Sequence, residues 1–178
     1  MSPRVLGLVA LFATVVVDQS HKLWMLFVYR ISEHLPVHVG PFLDLIVAWN
    51  PGVSYSLLRA TTDVERYLLL ALAFAAIVLL FVWLWRARSR PTAFALGLII
   101  GGAIGNAYDR SAYGAVADFF RFHVGDLSWY VFNLADVAIV AGVALLLLES
   151  LFPTAFARPK RHPEPVADLP PPPAHKLP

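Results

Sequence analysis

Four long apolar runs dominate the chain, and polar residues collect between them and at their ends. The runs extend from about Val5 to Val28, Tyr67 to Trp85, Thr92 to Asp109 and Asn133 to Phe152. A helix of about 20 mostly apolar residues crosses the hydrocarbon core of a bilayer, so each run is long enough to span a membrane. The pattern predicts an all-α membrane protein with four transmembrane helices.

The composition supports this interpretation and narrows the chemistry. Of the 178 residues, 58% are hydrophobic and 15% are charged, whereas soluble domains carry about 25% charged residues. The net charge of +2 is too small to indicate nucleic-acid binding, so we expect none. Because cysteine is absent, a thiol nucleophile, a disulfide and a cysteine-ligated metal site are excluded.

The two ends of the chain differ in character. The start resembles a signal peptide, but the polar segment Asp18 to Lys22 follows it instead of a cleavage site of small residues. We therefore expect an uncleaved first span and one four-span membrane domain over residues 1–152. Residues 153–178 contain nine of the fourteen prolines, which predicts a disordered, proline-rich cytoplasmic tail.

Positive charge predicts the orientation, and the outer loops predict a sheet. Because the segment 85–91 holds three arginines and further basic residues flank the first and fourth runs, both termini should be cytoplasmic. In the outer loops, His38 to Trp49 favours a strand, and Phe119 to Val131 is typical of two strands about a turn at Gly125-Asp126. We expect a small β platform and interfacial segment on the outer face.

Polar residues that are costly in a membrane converge on the level of that platform. A charged side chain at the bilayer centre costs roughly 2.5–3.5 kcal/mol, so such residues usually face a bundle interior and serve a function. Here they lie towards the outer ends of the first, third and fourth spans and in the outer loops. The set comprises Asp18, Lys22, Asn50, Asn106, Asp109, Arg110, Asp118, Asn133 and Asp136.

Some of these residues also have a structural explanation. Asp18 and Lys22 are four residues apart, so they could pair on one helix face only to let the first span insert. The neighbours Asp109 and Arg110 could form a structural salt bridge at a helix end, which is the interpretation that we favour.

The remaining carboxylates suggest acid–base chemistry. Asn133 could cap the fourth helix with Asp136 at its third position, a local role that leaves chemistry possible. Asp118 has apolar neighbours and is hard to explain as a solvated loop residue. Two carboxylates held close in a dry site share one proton, which permits aspartic-protease chemistry without a metal or cofactor. The six histidines have no metal-ligand spacing.

Five short motifs occur in order between residues 18 and 140. They are Asp18-Gln19-x-x-Lys22, Asn50-Pro51-Gly52-Val53-Ser54-Tyr55-Ser56, Gly101-Gly102-Ala103-x-Gly105-Asn106-x-x-Asp109-Arg110, Gly114-x-Val116-x-Asp118-Phe119 and Phe132-Asn133-x-Ala135-Asp136. On a four-span frame this set closely resembles signal peptidase II, the family of bacterial lipoprotein signal peptidases. His21 stands where the family commonly has Thr, and Tyr55 where Phe is common.

The resemblance implies an aspartic endopeptidase with Asp118 and Asp136 as the catalytic dyad. It implies cleavage of prolipoproteins before the lipid-modified cysteine, at the outer (periplasmic) leaflet of the bacterial inner membrane, without a cofactor. We expect a monomer that contacts membrane lipids. The residues that would bind substrate or support the site are Asp18, Lys22, Asn50, Gly52, Asn106, Asp109, Arg110 and Asn133.

A competing hypothesis from another class is a small proton-coupled transporter or assembly subunit. Intramembrane Asp, Lys and Asn side chains would suit a proton path, which needs polar residues across the depth of the bilayer. In this sequence they share one level, and the second span has none. The distribution therefore favours the peptidase.

Overall fold

The computed structural model describes residues 1–52, 62–125 and 127–156. In that part of the chain, four helices are long and apolar enough to cross a membrane, as the sequence predicts. They are α1 (Pro3–Leu23), continued by a π-helical turn over Trp24–Val28, α2 (Asp63–Arg86), α3 (Arg90–Tyr113) and α4 (Leu134–Leu151). A short helix, α5 (Pro153–Phe156), covers the start of the predicted tail. The rest of that tail lies outside the described residues.

Capping side chains make the helices longer than the apolar runs. At the start of α2, Thr62 Oγ1 accepts from Glu65 N at 3.3 Å, and the Glu65 carboxylate accepts from Thr62 N at 2.9 Å. This reciprocal pair satisfies backbone donors that would otherwise be unpaired, so α2 begins at Asp63 instead of near Tyr67. Helix α3 is longer than predicted at its C-terminal end. It continues to Tyr113 and ends before Gly114, whose φ of +81° suits a residue without a side chain.

The end of the bundle opposite the arginine-rich α2–α3 connection carries a four-stranded antiparallel sheet in the order β1-β2-β3-β4. Its strands are β1 (Val37–His38), β2 (Leu43–Asn50), β3 (Val116–Val124) and β4 (Leu127–Phe132). The predicted platform is confirmed, but the prediction of one strand from His38 to Trp49 is wrong. The chain turns between β1 and β2, where the Gly40-Pro41 pair favours a turn and proline cannot donate to a ladder. Asp126, expected in the β3–β4 turn, lies outside the described residues.

Strands β2 and β3 reach further than predicted and include two polar residues. Asn50 is opposite Val116, and Asp118 is opposite Ala48. Both lie in the connections between spans, as expected, and the hydrogen-bonded ladder extends beyond Trp49 and Phe119 to include them. A rigid sheet thus carries both side chains.

Small residues let α3 pack closely against α1 and α4. A Cβ atom on Gly101 would lie 2.7 Å from the carbonyl oxygen of Leu11 in α1. A Cβ atom on Gly102 would lie 2.5 Å from the carbonyl oxygen of Ala135 in α4. These distances are too short for any side chain, so the glycines of α3 make it the central helix of the bundle.

Polar contacts tie the helices together at the end opposite the sheet. Arg4 Nε donates to the carbonyl oxygen of Trp85 at 2.8 Å, which satisfies an acceptor at the C-terminal end of α2. The Glu149 carboxylate accepts from Thr92 Oγ1 at 2.7 Å and also from the hydroxyl of Ser89, the N-cap of α3. These contacts join α1 to α2 and α4 to α3.

Candidate active site

A cavity of about 710 Å³ opens between α2, α3 and α4 beneath the sheet. Its polar lining lies close to the sheet, and its apolar lining continues along the helices. The polar lining residues are Asn50, Asn106, Arg110, Asp118, Tyr130 and Asp136, and the apolar ones include Leu69, Leu72, Ala73, Ala76, Val137 and Val140. Two carboxylates and a guanidinium thus face one largely apolar space.

Asp118 is held by two amide side chains. It is 2% exposed on β3. Its Oδ1 accepts from Asn133 Nδ2 at 2.6 Å, and its Oδ2 accepts from Asn50 Nδ2 at 3.2 Å. Each oxygen therefore has a fixed donor, and the carboxyl group is held in one orientation towards the cavity.

The surroundings of Asp118 favour retention of a proton. Burial is the largest effect and raises the pKa of Asp118 to about 6, because a desolvated carboxylate is less stable. The negative charge of Asp136 acts in the same direction, whereas the hydrogen bonds from Asn133 and Asn50 oppose it. The carboxyl group can therefore exchange a proton near neutral pH.

Asp136 is positioned by the first turn of α4. Asn133 is the N-cap of this helix, and its Oδ1 accepts from Asp136 N at 3.0 Å. In return, Asp136 Oδ2 accepts from Asn133 N at 3.3 Å. The predicted capping role of Asn133 is confirmed. Because this pairing uses one carboxylate oxygen, Asp136 Oδ1 is free to accept from Asn106 Nδ2 at 2.9 Å.

Two asparagines connect the carboxylates of Asp118 and Asp136. Asn133 Nδ2, which donates to Asp118, also lies 3.2 Å from Asn106 Oδ1. Asn106 in turn donates to Asp136, so residues from α3, β3 and α4 form one continuous network. The sequence predicts these residues at a common level, and the structure brings them into direct contact.

A buried ion cluster adjoins this network. Lys22 Nζ lies 2.9 Å from Asp18 Oδ2 and 2.8 Å from Asp109 Oδ2. The predicted Asp18–Lys22 pair is confirmed, but the predicted salt bridge between Asp109 and Arg110 is wrong. Adjacent residues on a helix point in different directions, so Asp109 faces Lys22 on α1 while Arg110 faces the cavity.

Arg110 and Asn50 both hold the segment that follows β2. Arg110 Nη2 donates to the carbonyl oxygen of Gly52 at 2.5 Å, and Asn50 Oδ1 accepts from Gly52 N at 3.0 Å. Gly52 therefore belongs to the site through its backbone, as a supporting residue. Residues Val53 to Ser56 of the same motif lie outside the described residues.

Sequence reasoning did not assign a role to Gln19. Its Nε2 lies 3.1 Å from Asp18 Oδ2, 3.0 Å from Asp109 Oδ1 and 3.2 Å from the carbonyl oxygen of Gly105, so its two N–H donors are shared among three acceptors. Gln19 thus joins the two carboxylates that flank Lys22. A polar amide inside an apolar span was the signal that could have identified it.

Besides Asp118, the sheet carries another buried carboxylate, Asp44, which does not line the cavity. Asp44 accepts from Arg121 Nη2 at 2.5 Å and contacts His38 Nδ1 at 2.7 Å. The pKa of Asp44 is lowered to about 2, chiefly by the hydrogen bond from Arg121. Asp44 is thus a permanently charged structural group, unlike Asp118.

Comparisons with known proteins agree with this architecture. The family model described as signal peptidase (SPase) II matches residues 10–152. The lipoprotein signal peptidase of Methylocella silvestris is 62% identical over 152 residues, which cover 85% of this chain and 89% of the relative. The protein of the same name from Beijerinckia indica is 59% identical over 150 residues, covering 84% of this chain and 90% of the relative.

A solved structure shows the same fold. It is described as a bacterial membrane enzyme determined by the in meso method at 2.3 Å resolution, and it superposes with a TM-score of 0.67. The match covers 88% of this chain and 94% of that chain at 22% sequence identity. The family model spans most of the chain and the relatives are similar over nearly their whole length, so this chain belongs to the signal peptidase II family.

Proposed function

We propose that this protein removes the signal peptide of lipid-modified prolipoproteins as an aspartic endopeptidase, with Asp118 and Asp136 as its catalytic residues. The observation that carries the proposal is that both carboxylates line one cavity and are joined through Asn133 and Asn106. Family membership supports the peptidase activity, and the names of the relatives support the substrate class. They give no support to a proton-coupled transporter.

The chemistry needs only the two carboxyl groups and a water molecule. The ionised carboxylate takes a proton from water as the water oxygen attacks the scissile carbonyl carbon, and the neutral carboxyl group donates its proton to the carbonyl oxygen. When the tetrahedral intermediate collapses, the C–N bond breaks and the amine leaves with the proton that was taken from water. A hydroxyl group of the intermediate returns its proton to the other carboxylate as the new carboxyl group forms. One carboxyl group of the dyad is again neutral and one ionised, so the site is ready for another substrate.

The position of the cavity suits a substrate that is held in a membrane. Its apolar lining comes from α2 and α4, whereas its polar end lies under the sheet. A lipid-anchored peptide could thus bring its scissile bond to the carboxylates while its apolar parts stay among apolar side chains. Arg86, Arg88 and Arg90 lie at the opposite end of the bundle, which supports a cytoplasmic location for that end and an outer location for the site.

The proposal is tested with purified protein in detergent and a diacylglyceryl-modified prolipoprotein. We expect Asp118→Asn and Asp136→Asn each to lower the cleavage rate by about 10²- to 10⁴-fold, the range expected for loss of a general acid or base. The matched control is Glu33→Gln, which neutralises an exposed carboxylate outside the cavity. It should cleave at the rate of the unmodified protein.

The product also has to be identified. Mass spectrometry should give a mature fragment that begins at the lipid-modified cysteine, and addition of EDTA should leave the rate unchanged. Wild-type rates in either aspartate variant would remove that residue from the mechanism. Loss of activity in EDTA that is restored by zinc would contradict the aspartic mechanism.

A further inference from the structure

Lys22 is at the centre of the buried network but does not line the cavity. Its Nζ lies 2.9 Å from Asp18 Oδ2, 2.8 Å from Asp109 Oδ2 and 3.3 Å from Asn106 Oδ1. An ammonium group has three N–H donors, and these three acceptors use all of them. Since its side chain is only 3% exposed, Lys22 has no donor left for a substrate.

The third contact determines the orientation of the Asn106 amide. An ammonium group can only donate, so the Asn106 atom that faces it has to be the carbonyl oxygen. The same oxygen accepts from Asn133 Nδ2 at 3.2 Å. The NH₂ group is therefore turned to the other side, where Nδ2 lies 2.9 Å from Asp136 Oδ1.

The backbone next to each proposed catalytic residue is held by the same ion cluster. Asp18 Oδ1 accepts from the backbone N–H of Ala135, the residue before Asp136, at 3.0 Å. Asp109 Oδ2 accepts from the backbone N–H of Ala117, the residue before Asp118, at 3.3 Å. The two carboxylates that bind Lys22 thus also hold the segments that carry the dyad.

We infer that Lys22 is a positioning residue that acts through Asn106 to keep an N–H donor on Asp136. This inference rests on the proposed function, because it assigns Asp136 a catalytic role. If the ammonium were absent, only the donor from Asn133 would hold the Asn106 oxygen in place, and the amide could turn over and present its oxygen to the Asp136 carboxylate. Two acceptors would then face each other, and the carboxylate would lose both its donor and its fixed position.

The test is a double-mutant cycle between Lys22 and Asn106, measured as kcat and KM on a diacylglyceryl-modified prolipoprotein. The Lys22 side of the cycle is the double variant Lys22→Met/Asp109→Asn. It removes one cation and one anion together, so the buried cluster keeps its net charge, and the asparagine can still accept from Ala117 N. We expect kcat to fall about 10- to 100-fold, the equivalent of one hydrogen bond to a charged group.

In the same experiment KM should remain unchanged, because neither Lys22 nor Asp109 lines the cavity. The Asn106 side of the cycle is Asn106→Leu, which should lower kcat by a similar factor. Combining all three substitutions should lower kcat no further than Asn106→Leu alone, since the relay from Lys22 through Asn106 to Asp136 is already broken in that variant. Effects that multiply, or a KM that rises while kcat is unchanged, would overturn the inference.

Two further variants keep the inference testable if the charge-balanced variant does not fold. Asn106→Asp retains an oxygen towards Lys22 and Asn133 but removes the donor to Asp136, so kcat should fall as in Asn106→Leu. Asp109→Asn alone leaves the contact between Lys22 and Asn106 intact, so it should lower kcat by less than Lys22→Met/Asp109→Asn does. A full kcat in Asn106→Asp would overturn the relay.

Asp136→Asn in the same assay separates this inference from the proposed function. If Asp136→Asn cleaves at the wild-type rate, the proposed function fails whatever Lys22 does. If Asp136→Asn is inactive but the effects at Lys22 and Asn106 multiply, the proposed function stands and only the relay fails.

Discussion

Helices α2 and α3 have the same length but opposite roles. Each has 24 residues and could cross a membrane. The most apolar 18-residue stretch has a mean hydropathy of 2.8 in α2 and 1.2 in α3, yet 6% of that stretch is buried in α2 and 56% in α3. The less hydrophobic helix is therefore the one inside the bundle.

Lipid and protein impose different demands on a span. A helix that faces lipid on most sides needs large apolar side chains, whereas a central helix needs small residues for close packing and can carry polar ones. In α3, Gly101 and Gly102 contact neighbouring backbones, and Asn106 and Asp109 meet partners on α1 and α4. Hydropathy alone would rank α3 as the weaker membrane helix and overlook its central position.

The largest expected effect comes from removing Lys22, the cation on α1 that neutralises Asp109 of α3. Lys22→Met leaves Asp18 and Asp109 buried without a positive charge, which should cost about 3–5 kcal/mol of stability. Thermal unfolding in detergent measures the loss. Asp18→Asn is the comparison variant, because Asp109 still neutralises Lys22 in it. An equal loss in both variants would show that the charge balance is not what stabilises this region.

The next largest effect tests the packing difference directly. Gly102→Leu introduces a side chain where a Cβ would already lie 2.5 Å from the Ala135 carbonyl oxygen, so it should cost about 3 kcal/mol and abolish cleavage. Ala75→Leu is the matched change on an exposed position of α2. It should leave both the unfolding temperature and the cleavage rate unchanged. If α2 were as sensitive as α3, the contrast between the two helices would be lost.

The cavity between these helices is polar on the α3 side and at the sheet. The pH dependence of cleavage tests whether its carboxyl groups take part in the reaction. The negative charge of Asp136 is one of the causes that raise the pKa of Asp118 to about 6, so in the proposed dyad this pKa would describe the loss of the last shared proton. The value of kcat/KM should therefore fall as the pH rises through about 6.

Asn50→Leu should move that fall to higher pH by about one unit. The hydrogen bond from Asn50 lowers the pKa of Asp118, and its removal makes the charged form less stable. The measurement is the pH profile of kcat/KM for both proteins. A shift to lower pH, or no shift, would contradict the role assigned to the Asn50 amide.

The smallest effect is expected at the C-terminal end of α2, away from the sheet. Arg4→Ala removes the donor to the Trp85 carbonyl oxygen and a guanidinium that lies 5.3 Å from the Trp85 ring centre. Because this site is exposed, the cost should be about 0.5–1 kcal/mol, seen as a small decrease in unfolding temperature. Arg4→Lys should recover part of it. A loss as large as that of Lys22→Met would mean that α2 depends on polar contacts as α3 does.

Local features of the sequence predicted much of the fold. Apolar runs of sufficient length indicated the four spans, and the Asn133 cap was recognisable because both of its capping hydrogen bonds are with Asp136, three residues further on. The β platform was also predicted. Its register was not, because the pairing of Asp118 with Ala48 joins segments 70 residues apart and depends on how the helices bring β2 and β3 together.

Which polar residues stand near the ends of the spans can be read from the sequence, because hydropathy and spacing belong to contiguous segments. Which of them meet depends on the tertiary structure. Asp109 pairs with Lys22 and not with its neighbour Arg110, and Gln19 bridges Asp18 and Asp109. These contacts depend on how α1 and α3 are rotated about their axes, and that rotation is set by the glycine contacts between the helices, which no single segment reveals.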